Sequence, residues 1–320
     1  MSRIATVFGA SGLQGHSVVR ALLKDGTFKP RAVTRDASSA SAKTLADEGC
    51  EVVQADTSDE DAVKAAVTGA ETVFAVTIPF ASVPEVVQGA NIIDASKEAG
   101  VRFLVFSTLP SANKLSGGKY CNVSMCEEKA QVQEYLDASG LPHASISTGS
   151  FLENLLKNHR GMPPFEKTDT GYVFHTFGRA DTVFPFSWID RDLGPAVVAL
   201  MTQYAALTTQ DAALTTQDAA PTTPDTTPAE IEGQTFVLAS GRYSADALAA
   251  ELAEGLGKPV EVVCTGAGGM VAMDELYDFA AEFDWYPGVE IPDPRLAKLG
   301  VEFGAPADFA RTVLKPHLRE

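Results

Sequence analysis

The chain has 320 residues, a formal net charge of −17 and a pI near 4.7. Such a surface repels phosphate backbones at long range and no Lys/Arg cluster interrupts it, so direct nucleic-acid binding is disfavoured and any role in transcription would run through a protein partner. No apolar run reaches the roughly 18 residues of a membrane span, and the first residues lack a signal peptide's basic head and apolar centre, so a cytoplasmic protein is expected, or a nuclear one if it regulates.

Residues 4–8 are a short apolar run of β-formers, and Val18, Val19, Ala21, Leu22 and Leu23 recur at helical spacing. Between them lies V-F-G-A-S-G-L-Q-G-H, in which Gly9, Gly12 and Gly15 follow G-x-x-G-x-x-G. Glycines at a strand-to-helix turn permit dihedrals closed to other residues and let a diphosphate approach the backbone, while the helix start offers free N–H groups. The turn therefore reads as a dinucleotide site, with Ser11, Leu13 and Gln14 between the glycines.

A second strand, 29–34, ends at Thr34-Arg35. An Asp or Glu at this strand end selects NAD by bonding the ribose 2′-hydroxyl, whereas an Arg accommodates a 2′-phosphate. NADP(H) is thus expected, with Thr34 as a hydroxyl donor and Arg35 on the 2′-phosphate or adenine; the alternative is an exposed loop arginine. A third strand, 51–55, reaches Asp56, which either meets the adenine or only starts the helix over 60–67. The fourth, 72–76, leads to Thr77-Ile78-Pro79 beside the expected diphosphate and ribose, then a helix over 83–99. The fifth, 101–106, ends at Ser107-Thr108. A helix over 121–138 carries Lys129, and a sixth strand covers 143–147. This alternation specifies an α/β fold, a doubly wound parallel Rossmann sheet covered by helices.

Past residue 150 the alternation lapses. F-L-E-N-L-L, 151–156, is expected to close over the nicotinamide end through Phe151 and Asn154, and a helix over 192–201 has Ser187 or Asp190 as its cap. AALTTQD occurs at 205–211 and 212–218, and AAPTTPD at 219–225. One Leu per heptad among paired Thr gives no coiled-coil seam, so 205–228 reads as an expanded surface loop. Strands at 235–239 and 260–264 and helices at 245–256 and 270–285 complete a smaller α+β domain. The expected division is a nucleotide-binding domain over 1–150 and a smaller substrate or partner domain over 151–320. The four cysteines and five histidines show no metal-ligand spacing, and no metal site is expected.

With G-A-S-G-L-Q-G, T-R after the second strand, Asp56, T-I-P after the fourth, Lys129 and F-L-E-N, the chain resembles the NmrA-like family of atypical short-chain dehydrogenase/reductase proteins. The resemblance implies an NADP(H)-binding Rossmann domain with a smaller C-terminal domain. It also implies one of two roles: reduction of small aromatic or secondary metabolites, or redox-responsive regulation by a protein that only binds nucleotide and acts through a protein partner. Catalytic members of the wider superfamily use Tyr-x-x-x-Lys, and here the tyrosine position is Met125. A thioether donates no proton, and Tyr120 lies off the Lys129 face. In isoflavone-reductase-like relatives the lysine alone serves as acid and base, which makes Lys129 the catalytic candidate, with Ser107 or Thr108 on a substrate oxygen. Lys129 equally suits a binding role on the nicotinamide ribose. The leading expectation is an NADP(H)-dependent oxidoreductase for a small hydrophobic substrate.

Overall fold

A seven-stranded parallel sheet forms the centre of the computed structural model, which describes residues 3–157, 164–214, 227–266 and 269–318. Strand β1 (Ile4–Val7) turns into α1 (Leu13–Asp25), β2 (Lys29–Thr34) into α2 (Ala40–Asp47), and β3 (Glu51–Gln54) into α3 (Glu60–Val67). Then β4 (Thr72–Ala75) leads to α4 (Glu85–Glu98), and β5 (Phe103–Thr108) to a single turn, α5 (Ala112–Leu115), and to α6 (Ser124–Ser139) before β6 (His143–Thr148). The strand order is 3-2-1-4-5-6, the doubly wound order in which the chain reverses direction across the sheet between β1 and β4.

Period-two alternation assigns each strand's side chains to two cores. Val7, Phe74 and Val105 face α1 on one side, with Val18, Val19 and Leu22. Val73, Leu104 and Phe106 face α3, α4 and α6 on the other, with Val63, Ile92, Val132 and Leu136. Helix starts follow local chemistry: Ser39 Oγ accepts from Ala42 N at α2, and Asp59 Oδ1 from Ala62 N at α3.

The rest of the chain forms a second layer and also returns to the first. It comprises β7 (Ser150–Phe151), β8 (Phe165–Lys167), β9 (Tyr172–Phe177), β10 (Val183–Ser187), α7 (Ile189–Leu214), β11 (Thr235–Leu238), β12 (Gly241–Ser244), α8 (Ala245–Leu256), β13 (Val260–Thr265), α9 (Val271–Glu282) and α10 (Pro294–Lys298). Strand β11 pairs parallel with β6 as the seventh strand of the central sheet, and α7 packs along α1. Two three-stranded sheets, β12-β10-β7 and β13-β9-β8, make the smaller layer. Of their strands the sequence revealed only β13.

Two expectations are corrected. The loop expected from residue 205 is helical to Leu214, because α7 keeps a face to bury. Tyr204 stacks on Phe103 at 4.1 Å, Ala205 and Leu207 are buried, and the hydroxyls of Thr208 and Thr209 bond to carbonyls one turn back, so packing overrides weak threonine propensity. Residues 215–226, with the rest of the repeat, lie outside the described residues. Nor is α7 capped by Ser187 or Asp190. Glu153 Oε1 and Oε2 accept from Asp190 N (2.7 Å) and Ile189 N (3.3 Å), while Ser187 Oγ bonds to Leu238 O and Asp190 pairs with Arg20.

Candidate functional site

At the first turn Gly9 has φ +65°, and a side chain on Gly15 would place its Cβ 2.3 Å from Gly9 O. The start of α1 can therefore press against the turn only without side chains there. Gly12 is the N-cap and brings no side-chain acceptor, and no acidic residue occupies the first turn, which leaves the amides around Leu13 and Gln14 for an anion. This bare cradle fits a diphosphate.

Beside it, Ser11 Oγ lies 3.4 Å from Thr34 Oγ1. Arg35 follows on the exposed rim and makes no hydrogen bond or salt bridge among the described residues. Asp56 lies three residues before Asp59, the cap of α3; its Oδ1 accepts from Ser58 N (2.9 Å) and Ser58 Oγ (2.7 Å), and these bonds hold its carboxyl below the usual range, with the nearby Arg35 charge a smaller influence.

Below the turn a cleft of about 470 Å3 opens between the central sheet and the smaller layer. Gln14, Thr77, Pro79, Ser107, Lys129, Phe151 and Asn154 all line it. Ser107 Oγ donates to Gln14 Oε1 (2.6 Å), so Ser107 is committed within the protein, whereas Thr108 Oγ1 has no partner among the described residues. The 151–156 segment is not a free lid. Leu152, Glu153 and Leu155 are buried within a 3-10 turn, and Phe151 and Asn154 are presented from that fixed base.

Lys129 is 6% exposed, and its ammonium fills all three donors: to Thr77 O (3.0 Å), to Thr77 Oγ1 (2.9 Å) and to Glu85 Oε2. Thr77 Oγ1 also donates to Glu85 Oε2 (2.5 Å). Burial pushes the Lys129 pKa below its ordinary value, and the Glu85 charge opposes that shift. Glu85, 1% exposed, was not singled out from the sequence; its place as the first residue of α4, seven residues after Ile78, reads as an ordinary acidic helix start.

Met125 lines the cleft one helical turn before Lys129 and offers no proton. Tyr120 does not replace it, since its hydroxyl donates to Glu282 (2.9 Å) away from the cleft. A phenol that the sequence did not single out, Tyr286, does line the cleft, donating to Thr148 O (2.7 Å) and lying 2.9 Å from Ser147 Oγ. Burial raises its pKa, so it stays protonated. Cys126 is buried in the same wall, its thiol pushed up to about 12 by burial, while Cys121 is exposed, and neither is paired. Among the described residues no group of three metal-ligating side chains assembles, and no helix is long and apolar enough to cross a membrane.

Sequence comparison finds an NmrA-like family domain-containing oxidoreductase, notA, of Aspergillus sp. (strain MF297-2), 38% identical over 214 residues, which are 61% of this chain and 62% of that protein. Another, himF of Aspergillus japonicus, is 33% identical over 209 residues, again 61% and 62% of the two chains. The chain thus spans about three-fifths of the length of these relatives. Among solved structures, NmrA, described as a negative transcriptional regulator and crystallised with NADP, superposes with a TM-score of 0.76 over 99% of this chain and 97% of that one, at 19% identity. That likeness establishes the shared fold. The NmrA-like family profile matches residues 1–223, the stretch that holds the glycine turn, the Thr34-Arg35 strand end and Lys129, and the chain belongs to the NmrA-like family.

Proposed function

We propose that the protein is an NADP(H)-dependent oxidoreductase acting on a small, uncharged, hydrophobic substrate. The observation that carries the reading is an uncapped helix start behind a glycine turn with no room for a side chain at Gly9 or Gly15, opening onto an apolar cleft whose buried cation is Lys129. The amides of the glycine turn would hold the diphosphate, and Arg35, which has no hydrogen-bonding partner among the described residues, would take the 2′-phosphate. The coenzyme, when bound, supplies a hydride. The chain's own part would be to orient the two reactants, exclude water from the cleft and provide a proton at Lys129 Nζ, which must first give up one of its three bonds to Thr77 and Glu85 in order to face the substrate. The lowered pKa of Lys129 favours release of that proton, and Glu85 and Thr77 keep the ammonium in place until it leaves.

A second reading, a nucleotide-sensing regulator that acts through a protein partner, is favoured by one observation: Met125 stands where a proton-donating phenol would be. Stopped-flow absorbance at 340 nm with NADPH and a panel of enones, quinones and aldehydes separates the two. Turnover of any panel member supports the enzyme, and tight NADPH binding with no oxidation across the panel supports the sensor. In the same preparation Arg35→Ala is expected to cut the preference for NADPH over NADH about tenfold, as loss of one charge-assisted contact would. Unchanged selectivity would remove Arg35 from the site.

A further inference from the structure

Trp285 lines the main cleft from the loop after α9, and its indole Nε1 is buried with no acceptor among the described residues. Folded chains pair nearly every buried polar atom, and a phenylalanine would fill the same space without an unmet N–H. The indole is also held in place. Phe279 packs against it with ring centroids 4.2 Å apart, and both chain neighbours are anchored to Arg242 of β12, whose guanidinium donates to the Asp284 carboxylate (3.2 Å) and to Tyr286 O (2.8 Å). Thr108 completes the setting. It pairs in register with Ser147 across β5 and β6, and such partners share one face of the sheet about 5 Å apart. Ser147 Oγ lies 2.9 Å from the hydroxyl of Tyr286, the residue that follows Trp285. Thr108 Oγ1 is likewise buried without a partner among the described residues. Other donors of the cleft wall are spent: Lys129 on Thr77 and Glu85, Ser107 on Gln14, and Tyr286 on Thr148.

We infer that Trp285 is a specificity-determining residue whose indole N–H holds a carbonyl oxygen of the substrate, with the Thr108 hydroxyl as second donor to the same oxygen. The inference rests on the oxidoreductase reading and deepens it by assigning the side chain that reads the acceptor group. An indole N–H only donates, so whatever meets it must offer an acceptor. A carbonyl oxygen carries two lone pairs, one for each donor. A carboxylate would lose its hydration beside two neutral donors, and Lys129 in the same wall is already neutralised by Glu85. Trp285 lies beyond residues 1–223, the stretch matched by the family profile, so its role belongs to the smaller layer of this chain.

The chain has two tryptophans, Trp188 and Trp285, so a proton–nitrogen correlation spectrum of the full chain holds two indole cross-peaks, which Trp188→Phe or Trp285→Phe assigns. The probes, added without coenzyme, are cyclohexanone, methylenecyclohexane (the same ring with a methylene in place of the oxygen) and cyclohexanecarboxylate. Cyclohexanone is expected to move the Trp285 indole proton downfield in a saturable way and to leave Trp188 where it is, and methylenecyclohexane to cause no downfield movement. Trp285→Phe, which keeps an aromatic ring against Phe279, is expected to weaken cyclohexanone binding about fivefold, the loss of one neutral hydrogen bond, with methylenecyclohexane unaffected. Thr108→Val is expected to do the same, and carries the test if Trp285→Phe does not fold. A Trp285 peak that cyclohexanone leaves unmoved, variants that weaken both neutral probes alike, or cyclohexanecarboxylate moving the peak at lower concentration than the ketone would each overturn the assignment. Failure of NADPH to bind the wild type, titrated separately, would instead sink the oxidoreductase reading, because the probe shifts are scored without coenzyme.

Discussion

At Lys129 a buried cation is held by a buried carboxylate and a threonine, and removing one member leaves the others with an uncompensated charge. Glu85→Gln keeps the shape but deletes the charge that most raises the Lys129 pKa, so burial is opposed only by the weaker influences of Cys126 and Glu128 and the pKa falls further. The expected result is a thermal destabilisation equivalent to about 3 kcal/mol, the size typical when one partner of a buried pair is removed. NADPH affinity in the variant is also expected to weaken with rising pH earlier than in the wild type. A Glu85→Gln/Lys129→Met double variant should recover part of the stability, because no lone charge remains. Equal melting temperatures for wild type and Glu85→Gln would show that the pair contributes nothing to folding. Lys129 was legible because its spacing from Met125 reproduces a known motif with one member replaced. Glu85 and Tyr286 were not. Each reaches its place through tertiary folding, Glu85 from 44 residues before Lys129 and Tyr286 from a loop after α9, and no periodicity links positions that far apart.

Helix α7 shows how an element can be fixed by partners that local sequence does not name. Its start is held by the Glu153 carboxylate, and Asp192 one turn in accepts from Gly304 N (2.9 Å) and Arg191 Nη1 (2.6 Å), tying the C-terminal segment to the helix. Burial raises the Asp192 carboxyl to about 6, and Glu153 shifts in the same direction. The folded state therefore binds more protons than the unfolded one between the ordinary carboxyl pKa and about 6, so this group's contribution makes stability rise as pH falls through that window. About two units correspond to about 3 kcal/mol. Urea unfolding from pH 7.5 to 5 should show the wild type gaining stability relative to Asp192→Asn, and parallel curves would refute the assignment. The regular half of the fold was readable because strands buried on both faces and capped amphipathic helices repeat a single pattern. The strands β8, β9, β10 and β12 were not, because they are short and half-covered and sit between proline, glycine and polar residues. The length of α7 was misjudged because its threonines argue locally for a loop, while burial of Tyr204 and Leu207 decides for helix.

Over the whole molecule, the division of labour follows the sheet. The glycine turn, Thr77, Ser107 and Thr148 all lie at the carboxyl ends of parallel strands, where doubly wound folds bind ligands. The far end of α7 lies at the opposite edge, where Thr208 accepts from Arg102 just ahead of β5, and Gly233 N donates to His143 O at the start of β6. The repeat therefore leaves and rejoins the fold away from the cleft. What does act at the cleft from a distance is charge. The coenzyme is a polyanion and the chain carries −17; of the two lysines that line the cleft among the described residues, the buried Lys129 is neutralised by Glu85 and only the exposed Lys157 adds a free positive charge. Arg35 offers a contact only at close range, inside the Debye length of about 10 Å at 0.1 M salt. Long-range repulsion should thus slow encounter, and salt should relieve it before it weakens the contact. Stopped-flow association of NADPH is expected to quicken roughly two- to threefold between about 20 and about 300 mM NaCl, with dissociation changing less. Association that slows with salt would mean that the field at the cleft mouth is positive despite the net charge, and that basic residues at the rim steer the coenzyme in.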